Sequence, residues 1–128
     1  MDMKRLNIIV CVLIGIFLLS CEEKEYYQGE YIIVNDCDEL IDIYGIGKNI
    51  SAPSVAIHDR IPAKSKLSYR RIKITEDAMV KDLFETIEIY KNGQKTMKNP
   101  MNQELWDKTF LNNQLTYTLV VDSSFFKN

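Results

Sequence analysis

The clearest structural signal in this chain is the stretch Thr86-Ile87-Glu88-Ile89-Tyr90-Lys91-Asn92-Gly93-Gln94-Lys95-Thr96-Met97. Apolar and polar residues alternate before the Asn-Gly pair, which is typical of a strand with one face in water. Asn-Gly tolerates positive φ at both central positions of a type I′ turn, and the twist of that turn matches the twist of paired strands. The stretch therefore predicts a β-hairpin with strands at 86–91 and 94–97.

Working outward from the hairpin, strand-like segments recur at 31–34, 40–44, 55–57, 66–74 and 115–121. The last of these places its Leu and Tyr residues on one face and its Thr residues on the other, which predicts a strand with a strongly apolar inner face. Turn-forming residues separate the segments at intervals typical of all-β domains. We therefore expect a mainly β fold, an antiparallel β-sandwich of immunoglobulin-like or transthyretin-like type.

Two short segments have helical spacing. Thr75 is placed to cap a helix over 76–84, with acidic residues in the first turn and apolar pairs at four-residue spacing. Asn102 is placed to cap a second helix over 103–109, with Leu105 and Trp106 facing inward. The fold is thus expected to contain one or two short helices.

Composition limits the chain to one domain and excludes several classes of protein. The 128 residues are 46% apolar and 27% charged, with only 5 Gly and 3 Pro, so collagen-like and broadly disordered chains are excluded. The formal net charge is -2, and the basic residues around Arg70-Arg71 would be split between two faces of a strand. The sequence therefore predicts no nucleic-acid partner.

The N-terminal twenty residues are typical of a targeting signal. Lys4 and Arg5 precede an apolar run over 8–19, interrupted only by Gly15. A helix of this length is about 18 Å long and too short to cross a hydrocarbon core of about 30 Å. We expect residues 1–20 to be a cleaved signal peptide and not a transmembrane helix.

The end of this run, Leu18-Leu19-Ser20-Cys21, resembles the lipobox of bacterial lipoproteins. The resemblance implies that Cys21 becomes the first residue of the mature protein and carries palmitate-type acyl chains. Two or three such chains anchor a protein firmly to a membrane. The expected organisation is a signal peptide at 1–20, a lipidated Cys21 with an acidic tether over 21–30, and one β-sandwich domain over 31–128.

The mature chain is similar to small uncharacterised lipoproteins of Bacteroides-type bacteria. The shared features are the tether Glu22-Glu23-Lys24-Glu25, the early segment 32–35, the hairpin at 90–93, the Trp106 segment and the Tyr117 strand. This resemblance implies a lipid-anchored protein of the outer membrane, either surface-exposed or facing the periplasm. It implies no particular activity.

Few residues could form a catalytic or metal site. His58 is the single histidine, and Cys37 stands between two aspartates that disfavour its thiolate. The acidic cluster that begins at Asp36 lacks EF-hand spacing, although a looser calcium site remains open. If Cys21 were not lipidated, a disulfide between Cys21 and Cys37 would be the alternative. We expect no enzymatic activity, no catalytic residue, no metal and no cofactor.

The aromatic residues are scattered along the sequence and are mostly expected to pack in the core or at strand edges. Trp106 and Tyr90 are the candidates for a binding role. The expected function is a non-catalytic binding or accessory module of the cell envelope, with a protein or glycan partner. The alternatives are an inhibitor or immunity protein against a hydrolase or toxin, or a glycan-binding module. A protruding loop over 51–62 would favour the inhibitor, and a flat aromatic strip would favour the glycan-binding module.

Overall fold

The computed structural model of the protein describes residues 25–48 and 53–127, except for the side chain of Ile72. The predicted signal peptide and residues 21–24 of the predicted tether lie outside the described residues. Residues 27–30, the last part of the tether predicted over 21–30, belong to the first strand of the domain. Within the described ranges, no helix is long and apolar enough to cross a membrane.

The described residues form eight strands, one single-turn helix and two 3-10 turns. The helix α1 spans Val80–Leu83, and the 3-10 turns span Gln103–Leu105 and Ser123–Phe126. The strands are β1 Tyr27–Asn35, β2 Ile41–Gly47, β3 Val55–Ile61, β4 Lys66–Ile74, β5 Phe84–Lys91, β6 Gln94–Lys95, β7 Trp106–Leu111 and β8 Gln114–Val121.

The strands form two four-stranded sheets, which confirms the predicted β-sandwich. The first sheet has the order β4-β1-β8-β7, and the second sheet has the order β3-β2-β5-β6. All neighbouring strands are antiparallel except β1 and β8, which run parallel with Tyr31 opposite Tyr117. The first sheet is therefore mixed, because a strand from each end of the domain pairs at its centre.

Alternation along the strands places one apolar face of each sheet in a shared core. On β8, Leu115, Tyr117, Leu119 and Val121 are all fully buried, as the sequence pattern predicts. The second sheet contributes buried residues from β2, β3 and β5 to the same cluster. Burial of each large apolar side chain stabilises the fold by roughly 1.5–3 kcal/mol before conformational entropy is subtracted.

A fully buried Asn35 fixes the connection from the first sheet to the second. Its side-chain amide donates to the carbonyl oxygens of Glu39 (2.8 Å) and Ile61 (2.9 Å), and its side-chain oxygen accepts from the Cys37 amide (3.0 Å). These bonds satisfy the buried polar side chain and hold the loop that leads into β2.

The predicted hairpin at Asn92-Gly93 is confirmed. Asn92 has φ 51° and Gly93 has φ 75°, and Tyr90 pairs with Lys95 across the turn. The return strand is shorter than predicted, because β6 ends at Lys95 and does not continue to Met97.

The prediction of a helix over 103–109 is wrong. Asn102 does cap a turn, by accepting a hydrogen bond from the Glu104 amide, but the turn is a single 3-10 turn. From Trp106 onward the chain is the strand β7, which forms a hairpin with β8 through Asn112-Asn113, both at positive φ. Tertiary pairing with β8 and the second Asn-rich turn outweigh the weak helical spacing of this segment.

The helix predicted over 76–84 is reduced to the single turn α1. The backbone carbonyl oxygen of Thr75 accepts a hydrogen bond from the Ala78 amide, which forms a turn but not a helix. The helical turn begins only after Met79. The carboxylate of Asp82 reaches back to the Met79 amide (2.6 Å) and closes this short turn. Phe84 then begins β5, because pairing of β5 with β2 sets the backbone conformation from that residue.

Candidate functional site: an aromatic and charged patch on the second sheet

The outer face of the second sheet carries a group of aromatic and charged side chains. On β2, Ile41 and Ile43 are fully buried, while Asp42 and Tyr44 point away from the core. The side chain of Tyr44 remains 41% exposed even though the ring is large and apolar. Strand alternation alone therefore presents an aromatic ring to solvent on a regular, hydrogen-bonded sheet.

The strand register brings residues from four strands together around Tyr44. Tyr44 lies opposite His58 on β3 and opposite Glu88 on β5, and Asp42 lies opposite Arg60 and Tyr90. Lys95 on β6 lies opposite Tyr90. We call this group the outer patch, and it consists of Asp42, Tyr44, His58, Arg60, Glu88, Tyr90 and Lys95.

Three rings form a row across the patch. The His58 ring stacks on Tyr44 with centroids 4.4 Å apart and an interplanar angle of 15°. Tyr90 meets Tyr44 edge to face, with centroids 5.6 Å apart and an angle of 87°. Such contacts hold the exposed rings in defined orientations, so the patch is preorganised. Since neighbouring strands lie about 4.8 Å apart, the row extends about 10 Å across the sheet.

Each carboxylate of the patch is paired with a cation. The Arg60 Nε atom lies 3.1 Å from Asp42 Oδ1, and His58 Nε2 lies 3.9 Å from the same oxygen. That oxygen is buried and, among the described residues, accepts no hydrogen bond, so charge attraction alone holds it. Two acids and two bases thus leave the patch without net formal charge when His58 is counted as neutral.

Glu88 is the centre of a small hydrogen-bond network. Lys95 Nζ donates to its Oε1 atom (3.0 Å), and the Tyr90 hydroxyl donates to its Oε2 atom (2.9 Å). The Lys95 bond, followed by the Tyr90 bond, lowers the pKa of the Glu88 carboxyl. The same contacts with Glu88 raise the pKa of both Tyr90 and Lys95. Glu88 is therefore held as a carboxylate, the form that accepts hydrogen bonds.

A shallow depression of about 460 Å³ lies beside Tyr44 on the β5 side. The depression is open to solvent, and at least three others of about 360–390 Å³ lie elsewhere on the described part of the molecule, so its lining and not its size distinguishes it. The depression is lined by Asp42, Tyr44, Glu88, Tyr90 and Gly93. It therefore combines two aromatic walls with two carboxylates.

The two aromatic residues predicted to bind a ligand have different positions. Tyr90 lies in the outer patch. Trp106 is only 5% exposed, packs in the core, and donates its indole N–H to the Pro100 carbonyl oxygen (2.8 Å). The structure gives Trp106 a role in the core and leaves no free ring face for a ligand.

The acidic cluster does not converge on a metal site. Asp36 and Asp38 both lie near Lys64, Glu39 accepts from Asn92, and Asp42 belongs to the outer patch. Within the described parts of the chain, no group of three potential ligands is close enough to hold a metal ion. The loose calcium site that the sequence left open has no supporting geometry.

His58 and Cys37 also have clear environments. His58 and Asp59 are consecutive residues of β3, so their side chains point to opposite faces of the sheet. Asp59 accepts a hydrogen bond from the hydroxyl of Tyr69 (2.7 Å), which lies on the other sheet. Cys37 is buried with its Sγ atom 3.6 Å from the Val121 carbonyl oxygen. Burial is the main cause that raises the pKa of this thiol, which is unfavourable for a nucleophile.

Sequence reasoning missed Tyr44 as a surface residue. The available signal was the alternation on β2, which places Tyr44 on the same side as Asp42. The partner His58 could not be found in this way, because it depends on the register of β2 against β3. Within the predicted loop over 51–62, Val55–Ile61 is a paired strand and not a protruding loop. No protein-family model, curated protein or solved structure gives a significant match to this chain.

Proposed function

We propose that this protein is a lipoprotein anchored to the outer membrane through acylated Cys21. In this proposal the β-sandwich is a non-catalytic binding or accessory module, and the outer patch is its binding surface. The anchor is supported by the sequence from Lys4 to Cys21 and by its resemblance to lipoprotein signals. Exposure to the cell surface and exposure to the periplasm both remain compatible with this anchor.

The observation that carries the binding role is the ordered row of rings formed by exposed His58, exposed Tyr44 and half-buried Tyr90. The Tyr44 residue is 41% exposed and the His58 side chain is 52% exposed, so the fold leaves part of their ring surface in solvent where a ligand can cover it. Rigid aromatic rings lose little conformational entropy when a ligand covers them, which makes them effective binding groups. The row therefore supports a contact surface better than a purely structural one.

The electrostatics of the patch favour binding over proton transfer. The lowered pKa of Glu88 makes it a poor proton donor near neutral pH, and Asp42 is held by Arg60. These carboxylates are suited to accept hydrogen bonds from a ligand. Arg60 and Lys95 are suited to donate them.

Retention of the full-length protein on cell envelopes tests the binding surface. Purified protein in detergent is mixed with delipidated envelope material, and the fraction that sediments is measured. Tyr44→Ala should reduce retention about tenfold, whereas Tyr26→Ala should leave it unchanged. Tyr26 is a matched control because it is 52% exposed and precedes β1, a strand of the first sheet. Equal retention of the unaltered protein, the Tyr44→Ala variant and the Tyr26→Ala variant would contradict the proposed binding surface.

The anchor has a separate test in living cells. Cys21→Ala should abolish incorporation of a labelled fatty acid and move the protein from the detergent phase to the aqueous phase. Cys37→Ala is the control, because a buried thiol should not be acylated. If the Cys21→Ala protein still incorporates label and still partitions with detergent, the lipid-anchor proposal is wrong.

A further inference from the structure

The chemistry of the outer patch identifies the class of ligand, provided that the patch is the binding surface proposed above. We propose that it binds a neutral carbohydrate, with one sugar ring in the depression beside Tyr44.

The charge pattern argues against a strongly charged ligand. Asp42 and Glu88 are already paired with Arg60 and Lys95, at 3.1 Å and 3.0 Å respectively. A cationic ligand would have to compete with these pairs for the carboxylates, and an anionic ligand would have to compete for the cations. A neutral ligand can use the remaining hydrogen-bonding capacity of all four groups without breaking either pair.

The shape of the depression suits a sugar ring. Tyr44 and Tyr90 stand at 87° to each other, and the depression lies between them and the two carboxylates. A pyranose ring has a face of C–H groups, which packs on an aromatic ring, and a rim of hydroxyl groups, which bond to carboxylates and cations. His58 covers one face of Tyr44, so the ring surface left for the C–H face of a sugar is the part of Tyr44 and Tyr90 that lines the depression, beside the two carboxylates.

Other neutral ligands fit less well. A lipid tail would cover the charged groups of the patch without satisfying them, which is unfavourable. Small molecules usually bind in clefts that bury most of their surface. A row of rings about 10 Å long on an open sheet face suits an extended chain of sugars better.

Chemical treatment of the envelope material tests the ligand class separately from the binding surface. Periodate cleaves the vicinal diols of sugars, and it should abolish the Tyr44-dependent retention of the full-length protein. Protease treatment of the same material should leave this retention unchanged. If retention depends on Tyr44 but survives periodate and is lost with protease, the binding surface is correct and the carbohydrate inference is wrong.

Defined polysaccharides test the preference for neutral sugars. The full-length protein should bind at least one of mannan, xylan and dextran at least tenfold more tightly than heparin or polygalacturonate. Stronger binding to heparin or polygalacturonate than to the neutral polysaccharides would overturn the inference. Displacement of every bound polysaccharide by the cation tetramethylammonium would overturn it as well. No binding to any of the five polysaccharides would also count against it.

Variants of the patch link this binding to the observed geometry. Tyr44→Ala should weaken binding about tenfold, while Tyr44→Phe retains the ring and should bind nearly as well as the unaltered protein. Arg60→Ala is a second test, and its melting temperature is measured alongside, because the substitution also removes the cation that lies 3.1 Å from the Asp42 carboxylate. It should weaken binding several-fold, and an unchanged affinity in both alanine variants would overturn the assignment.

Discussion

Two aromatic clusters in this small domain have opposite environments. The inner cluster lies between the sheets and contains Tyr31 and Tyr117, stacked at 4.8 Å and fully buried, together with Phe84 and Trp106. The outer row of His58, Tyr44 and Tyr90 lies on the far face of the second sheet. Both clusters use tyrosine and both have defined ring geometry.

The comparison separates residues that build the fold from residues that are free to bind. The hydroxyl groups of the inner tyrosines are bonded to the backbone: Tyr31 donates to the carbonyl oxygen of Met79, and Tyr117 donates to the carbonyl oxygen of Ala78. In the outer row, by contrast, the polar partners are charged side chains at the surface. We therefore expect the first cluster to contribute more to stability than the second, whose rings lie at the surface.

The largest expected effect is the difference in stability between core and surface substitutions. Trp106→Ala should lower the free energy of unfolding by about 3–5 kcal/mol, because it removes a buried ring and its hydrogen bond. Tyr44→Ala should lower it by less than about 1 kcal/mol, the size of a cross-strand contact on a surface. Urea unfolding of the two variants measures both values. Similar losses would show that the outer row is part of the structural framework.

Alkaline pH should destabilise the protein through two buried tyrosines and one partly buried tyrosine. Burial raises the pKa of Tyr31, Tyr69 and Tyr117 in the folded state. A pKa that is raised on folding contributes stability that is present below the unfolded value of 10.0 and is lost as the pH rises further. The melting temperature should therefore fall above about pH 10. Tyr69 is partly buried and its hydroxyl donates to Asp59, so Tyr69→Phe should reduce this fall, and an unchanged pH dependence would argue against this environment of the hydroxyl.

The Asn92-Gly93 turn gives a smaller effect that is confined to the second sheet. Gly93 has φ 75° with nothing near its missing side chain, so Gly93→Val should cost about 1 kcal/mol through backbone strain alone. Gly93→Asn is the control, because asparagine tolerates this conformation. Thermal unfolding compares the two variants. A neutral Gly93→Val substitution would be inconsistent with this turn.

The smallest expected effect is that of reductant and chelator, which should leave the melting temperature unchanged. Cys37 is buried and free, and the described carboxylates do not converge on a metal site. A drop of several degrees with reductant alone would indicate a disulfide that involves Cys37. A drop with chelator alone would restore the calcium hypothesis at the acidic cluster.

The sequence was most informative where one local pattern determines the structure. The alternation at Leu115–Val121 and the Asn92-Gly93 turn required no tertiary information. Trp106 faces the core as predicted, but the helix predicted over 103–109 failed because the chain from Trp106 onward pairs with β8. The Asn112-Asn113 pair carried a turn signal that would have corrected this prediction.

The candidate site was only partly accessible from the sequence. Tyr90 could be singled out because it lies on the clearest strand. The row as a whole depends on the registers that place Tyr44 opposite His58 and Asp42 opposite Tyr90. These pairings join segments far apart in the chain, and no local pattern specifies them.

Tyrosine nitration, mapped by mass spectrometry on one preparation, tests the central claim most directly. The full-length protein is nitrated free in detergent and again when bound to envelope material. We predict that Tyr44 reacts in the free protein and is protected in the bound protein, that Tyr26 reacts in both states, and that buried Tyr31 and Tyr117 react in neither. Equal reactivity of Tyr44 in the two states, or selective protection of Tyr26, would contradict the assignment of the outer patch as the binding surface.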